Sequence, residues 1–136
     1  MALALALGAP TWAAEPAPAP HPREMTWVKR EWGVEVMFVR ATAGGYMLEF
    51  RYKVLDAARA APLFDRGTAP LLTHVESGVV LAVPHPPTTG ELRNSNPPVD
   101  GRVYWMFFAN PGQLVQPGDT VNVQIGTFRV DGLVVR

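Results

Sequence analysis

Between Tyr46 and Leu55 the chain reads YMLEFRYKVL, and its apolar residues fall on alternate positions. Tyr46, Leu48, Phe50, Tyr52 and Val54 share one side, while Glu49, Arg51 and Lys53 share the other. A repeat of two is the geometry of a β-strand, whose successive side chains leave opposite faces of a sheet. Such a strand packs one face on a core and turns a charged, ion-paired face to water.

The rest of the chain repeats this pattern between turn signals. GVEVMFVRAT at 33–42 is rich in β-branched and aromatic residues and stops at Ala43-Gly44-Gly45, which reads as a strand and a glycine turn. LLTHV and VVLAV flank Glu76-Ser77-Gly78, so residues 71–83 read as an antiparallel hairpin with glycine in its loop. RVYWMFFA at 102–109 is apolar on both faces after its first residue, as in a central strand or one lying against a partner. NPG at 110–112 and PGD at 117–119 precede TVNVQI and TFRVDGLVV, with Val121, Val123 and Ile125 on one face. One helical turn is expected at 56–64, with Asp56 as N-cap and Pro62 as stop. The polar, proline-rich segment 84–101 is a long loop of the functional or mobile kind.

A chain of 136 residues supports one core. The expected fold is therefore all-β: an immunoglobulin-like antiparallel β-sandwich of about seven strands, with a small open barrel as its competitor. An extended apolar and proline-rich N-terminal arm precedes it. Within that arm, MALALALGA and the small residues after it resemble the apolar and cleavage regions of a secretory signal. A cut after Ala13 leaves Thr11 and Ala13 at the small-residue positions, although no Lys or Arg precedes the run. The division is a signal-like segment at 1–14, either cleaved or kept as a tether, a spacer at 15–26 and the β domain at 27–136. Alternating prolines make EPAPAPHPRE extended, and removal of residues 1–26 is expected to leave the β domain folded.

Composition excludes several chemistries. Twelve basic residues balance twelve acidic ones, so no net field gathers nucleic acid. Absence of cysteine removes disulfides, zinc-thiolate sites and thiol nucleophiles. Nucleophile-elbow, phosphate-loop, dinucleotide and zinc-helix motifs are missing, and an enzyme is not expected. Glu31, Glu35 and Glu49 offer no acid–base pair, because Glu49 belongs with Arg51 and Lys53 on the charged strand face.

Two candidate sites remain. His74 and His85 could approach across the 71–83 hairpin, with Met106, Met37 or Met47 completing a soft site for copper. Trp27, Trp32, Tyr104 and Trp105 are candidate partner anchors, although Tyr104 and Trp105 leave opposite faces of one strand. WGVEV, GYMLEFRYKVLD and WMFFANPGQLVQPGDTVNVQIGTFRV are similar to a group of uncharacterised bacterial envelope proteins, a resemblance that spans most of residues 32–135. It implies an exported sandwich and transfers no functional residue.

The expected function is a non-catalytic binding or accessory module docking on a larger protein or membrane complex, with no cofactor. Its expected place is the periplasm or the cell exterior, with residues 1–14 available as a peripheral tether to the outer face of the inner membrane. The alternative is a small periplasmic copper-binding protein.

Overall fold

The computed structural model describes residues 22–87, 90–94 and 96–136. The signal-like segment 1–14 and the spacer as far as residue 21 lie outside the described residues.

Seven strands form two antiparallel sheets packed face to face, an all-β sandwich. The first sheet holds β1 (Val34–Thr42), β2 (Met47–Val54) and β5 (Val103–Ala109) in the order β1-β2-β5. The second holds β3 (Leu71–His74), β4 (Val80–Ala82), β6 (Thr120–Ile125) and β7 (Phe128–Val134) in the order β4-β3-β6-β7. The turn, hairpin and strand expectations agree with these elements to within a residue or two at their ends. Asp56 caps the short helix α2 (Ala57–Ala60) as expected, its carboxylate accepting from the N–H groups of Ala58 and Arg59.

The core lies between the inner faces. Leu48, Phe50, Tyr52 and Val54 of β2 meet Leu72, Val121, Val123, Ile125, Phe128 and Val130 of the second sheet in one buried cluster. Tyr46, grouped with the inward residues by alternation, precedes the strand and is exposed. Tyr52 stacks between Phe50 and Tyr104, with ring centroids 5.3 and 6.1 Å away.

Burial raises the Tyr52 hydroxyl well above the ordinary tyrosine value; nearby Arg93 opposes this shift and Tyr104 adds to it. An acid that ionises less readily when folded contributes stability that is intact below the unfolded value, near pH 10. That contribution is lost as pH climbs from there. Unfolding free energy is therefore expected to fall above pH ~10 by about 1.4 kcal/mol per pH unit from this group. Denaturant titrations should show a shallower alkaline slope for Tyr52→Phe.

The described chain starts with a helix, α1 (Pro22–Trp32), inside the stretch read as spacer. Its signals are local: Pro22 at the start, where no N–H is needed, Glu24 in the first turn, and Lys29 and Arg30 in the last. Gly33 closes it at φ 62°, returning its N–H to Lys29 O at 3.0 Å. A Cβ there would lie 2.8 Å from Asp56 Cβ and O, so the position demands glycine. Val28 is buried in the core, Met25 and Trp32 pack against it, and Glu24 accepts from Asp131 N at 3.0 Å. Residues 22–26, read as spacer, thus pack with the domain, and their removal is expected to disturb it. Deletion of 1–21 is expected to leave the unfolding midpoint unchanged. Deletion of 1–26 should cost about 2 kcal/mol or more through lost packing and an unpaired amide, read by thermal unfolding of both truncations.

Both edges of the first sheet are covered. Arg136 pairs with β1, its N–H going to Val39 O and its carbonyl accepting from Ala41 N, at 2.9 and 3.0 Å. The chain thus runs from β7 in one sheet to β1 in the other. On the far edge the loop read as polar and irregular returns to β5: Phe107 N donates to Leu92 O and Asn94 N to Trp105 O, at 2.9 and 3.0 Å. Arg93, between them, is buried and donates to Asp65 O at 3.0 Å.

Candidate functional site

The outer face of the first sheet carries the main constellation, and register places it there. Strand pairing sets Phe38, Arg51 and Trp105 in one row across β1, β2 and β5, and Arg40, Glu49 and Phe107 in the next. An irregularity between Val36 and Phe38 makes this arrangement. Simple alternation would send Phe38 inward with Val34 and Val36; the bulge turns it outward.

Three guanidinium groups surround the Phe38 ring: Arg40 at 4.9 Å, Arg136 at 5.3 Å and Arg51 at 5.7 Å from its centroid. Positive charge is attracted to an aromatic face, and planar guanidinium groups stack there well. Glu49 holds two of them, with Oε1 accepting from Arg40 Nε and Nη2 at 3.2 and 2.9 Å and Oε2 against Arg51. The expectation of a solvated charged face is half right. The ion pairs exist, but only 3% of the Glu49 side chain is exposed, beneath arginines exposed by 50% and 36%. With Glu49 sequestered and Glu35 paired to Lys29 at 3.3 Å, Arg40, Arg51, Lys53 and Arg136 leave the face cationic. Trp105 and Phe107 lie beside it, their ring centroids 5.2 Å apart.

A cleft of about 230 Å³ lies where α1, β1 and β7 meet, beside this face. Met25 of α1, Val36, Met37 and Phe38 of the bulge, and Leu133 and Val134 of β7 make it apolar, and Arg136 supplies its charge. This is smaller than the usual pocket for a drug-sized molecule and suits one or two side chains. Phe38 belongs to both the cleft and the arginine cluster.

The anchors expected from sequence divide. Trp105 stands on the outer face in the Arg51 row. Tyr104 is in the core, its hydroxyl donating to Pro97 O at 3.3 Å and accepting from Val99 N at 2.8 Å, and has no surface to offer a partner. Trp32 packs edge-on against Phe128 at 5.7 Å, so it serves the helix–core contact. Trp27 is 47% exposed on α1. Phe38, Arg40, Arg51 and Arg136 were missed: a bulge is not visible in alternation, and Arg136 enters only by pairing with β1.

The copper ligand set does not converge. His74 ends β3 beside the hairpin turn, with Nδ1 2.7 Å from Ser77 Oγ and Nε2 3.0 Å from Asp119 Oδ2. His85 follows β4, past Ala82, which pairs with Leu71 at the other end of the hairpin; it is exposed, 3.6 Å from Glu91. Met106 is buried in the core, as its inward register with Phe50 requires. Met37 lines the cleft, and Met47 pairs with Ala109 at the start of β2.

Ser77, His74 and Asp119 have the hydrogen-bond order of a hydrolytic relay. Ser77 Oγ also accepts from Val79 N at 3.2 Å, which binds it into the turn and accounts for its position without catalysis.

No family model, curated protein or solved structure matches the chain. No helix among the described residues is long and apolar enough to cross a membrane.

Proposed function

We propose that this protein is a non-catalytic binding module of the bacterial cell envelope that holds an apolar, acidic segment of a partner protein on the outer face of its first sheet. The observation that carries the reading is the double membership of Phe38, whose ring is flanked by three guanidinium groups and also lines the apolar cleft. A partner side chain entering the cleft brings its neighbours within reach of Arg40 and Arg136. Carboxylates there would form charge-assisted, bidentate hydrogen bonds. Trp105 and Phe107 extend the contact with aromatic surface of the kind that dominates interface energies.

Export is supported by the signal-like run Met1–Ala9 and the proline-rich stretch after it. The strand order β1-β2-β5 against β4-β3-β6-β7 supports an immunoglobulin-like sandwich, an architecture common among binding domains.

Photo-crosslinking in cells that naturally make the protein tests this reading. A photoreactive residue at Trp105 or Met37 is expected to trap one and the same partner, whereas one at exposed Val80 of the second sheet traps none. Equal yields from all three positions would refute it.

A further inference from the structure

We propose that His74, Glu76 and Asp119 form a binding site for a divalent cation of the zinc type, separate from the docking face. One ligand atom from each residue lies within 4.8 Å of the others, at the end of the second sheet where the hairpin turn meets the start of β6. Zinc holds imidazole nitrogen and carboxylate oxygen at about 2.0–2.2 Å, so two ligands on one ion stand roughly 3–3.5 Å apart. His74 Nε2 and Asp119 Oδ2, at 3.0 Å, already have that spacing. Glu76 is exposed on the turn and reaches the site by a change of rotamer.

The ring of His74 is prepared for this role. Its side chain is only 5% exposed, and Ser77 Oγ stands 2.7 Å from Nδ1. A metal-binding histidine gives its second ring N–H to such an outer partner, which fixes the tautomer and the ring plane. In that tautomer Nε2 turns its lone pair toward the Asp119 carboxylate, and a cation between them is held by both. The same Asp119 Oδ2 accepts from Gln116 N at 2.9 Å, which fixes its position. Two carboxylates balance the charge of a divalent ion, and one imidazole with two carboxylate oxygens favours zinc, manganese or cobalt over cuprous copper.

Calorimetric titration of the full chain with Zn²⁺ at neutral pH tests the site. One equivalent is expected to bind, with about 100-fold or greater loss for His74→Ala and Asp119→Asn. Ser77→Ala, which removes only the outer partner, should weaken binding about 10–100-fold. Glu76→Gln, on an exposed turn residue, keeps the test valid should the His74 variant misfold, and is expected to lower affinity at least tenfold. His85→Ala should change nothing. Stoichiometric binding that survives Glu76→Gln and Ser77→Ala unchanged, binding abolished by His85→Ala, or no binding to the wild-type chain would each overturn the proposal.

Discussion

Replacing Phe50 with alanine is expected to lower the unfolding free energy by about 3–5 kcal/mol, the usual cost of emptying a buried phenylalanine site. The ring is fully buried at the centre of β2, opposite Val39 and Met106 on its two neighbours and stacked on Tyr52. Neighbours fixed in paired strands collapse little into the cavity, and close packing turns missing volume into lost dispersion contacts. A domain of this size is stable by roughly 5–15 kcal/mol in total, so the variant should melt many degrees lower. Phe50→Leu should cost less. A denaturation midpoint unchanged by Phe50→Ala would mean that the inner face of β2 has been assigned to the wrong side.

Asn110→Ala is expected to be comparably damaging for a different reason. Asn110 is fully buried where β5 ends, and its amide joins three loop groups: Nδ2 donates to Gly45 O and Val115 O at 2.8 and 2.9 Å, and Oδ1 accepts from Val115 N at 3.0 Å. Alanine leaves all three backbone groups without these partners. A buried group that loses its partner costs about 1–3 kcal/mol, so a total of roughly 3–5 kcal/mol follows. Asn110→Asp separates this cause from a simple loss of volume. It preserves the shape but supplies no donor for the two carbonyls, and is expected to destabilise as strongly as alanine. If Asn110→Asp unfolds at the wild-type midpoint, the bonds to Gly45 and Val115 carry no stability.

The alternation in YMLEFRYKVL located β2 and its inward residues because burial on one face alone writes a repeat of two into sequence. Asp56 and Gly78 were legible for a similar reason: capping and positive-φ turns have strong residue preferences. Helix α1 was missed although Pro22, Glu24, Gly33 and the spacing of Met25, Val28 and Trp32 all announce it. Alternating prolines as far as Pro22 drew the following turn into the spacer, and a two-turn apolar stripe is a weak periodic signal.

The candidate site was less legible than the fold. Trp105 could be placed on an outer face from its parity with buried Tyr104. Phe38 could not, because one inserted residue at the bulge reverses the parity of all that follows. Glu49 read as a surface charge because sequence carries no sign of the side chains that cover it. His74, Ser77 and Asp119 were separated for the same reason. His74 and Ser77 belong to one hairpin, but Asp119 joins them only through the pairing of β3 with β6.

Selection of a random phage-displayed peptide library on the full-length protein tests the docking face most directly. The account predicts enriched peptides that share an apolar residue flanked by Asp or Glu and bind more weakly as salt is raised, since exposed charge pairs are screened. Affinity should drop about tenfold or more for Phe38→Ala and for Arg136→Ala, the loss typical of a central interface residue. Enriched peptides without acidic residues, or affinity unaffected by both substitutions, would contradict it.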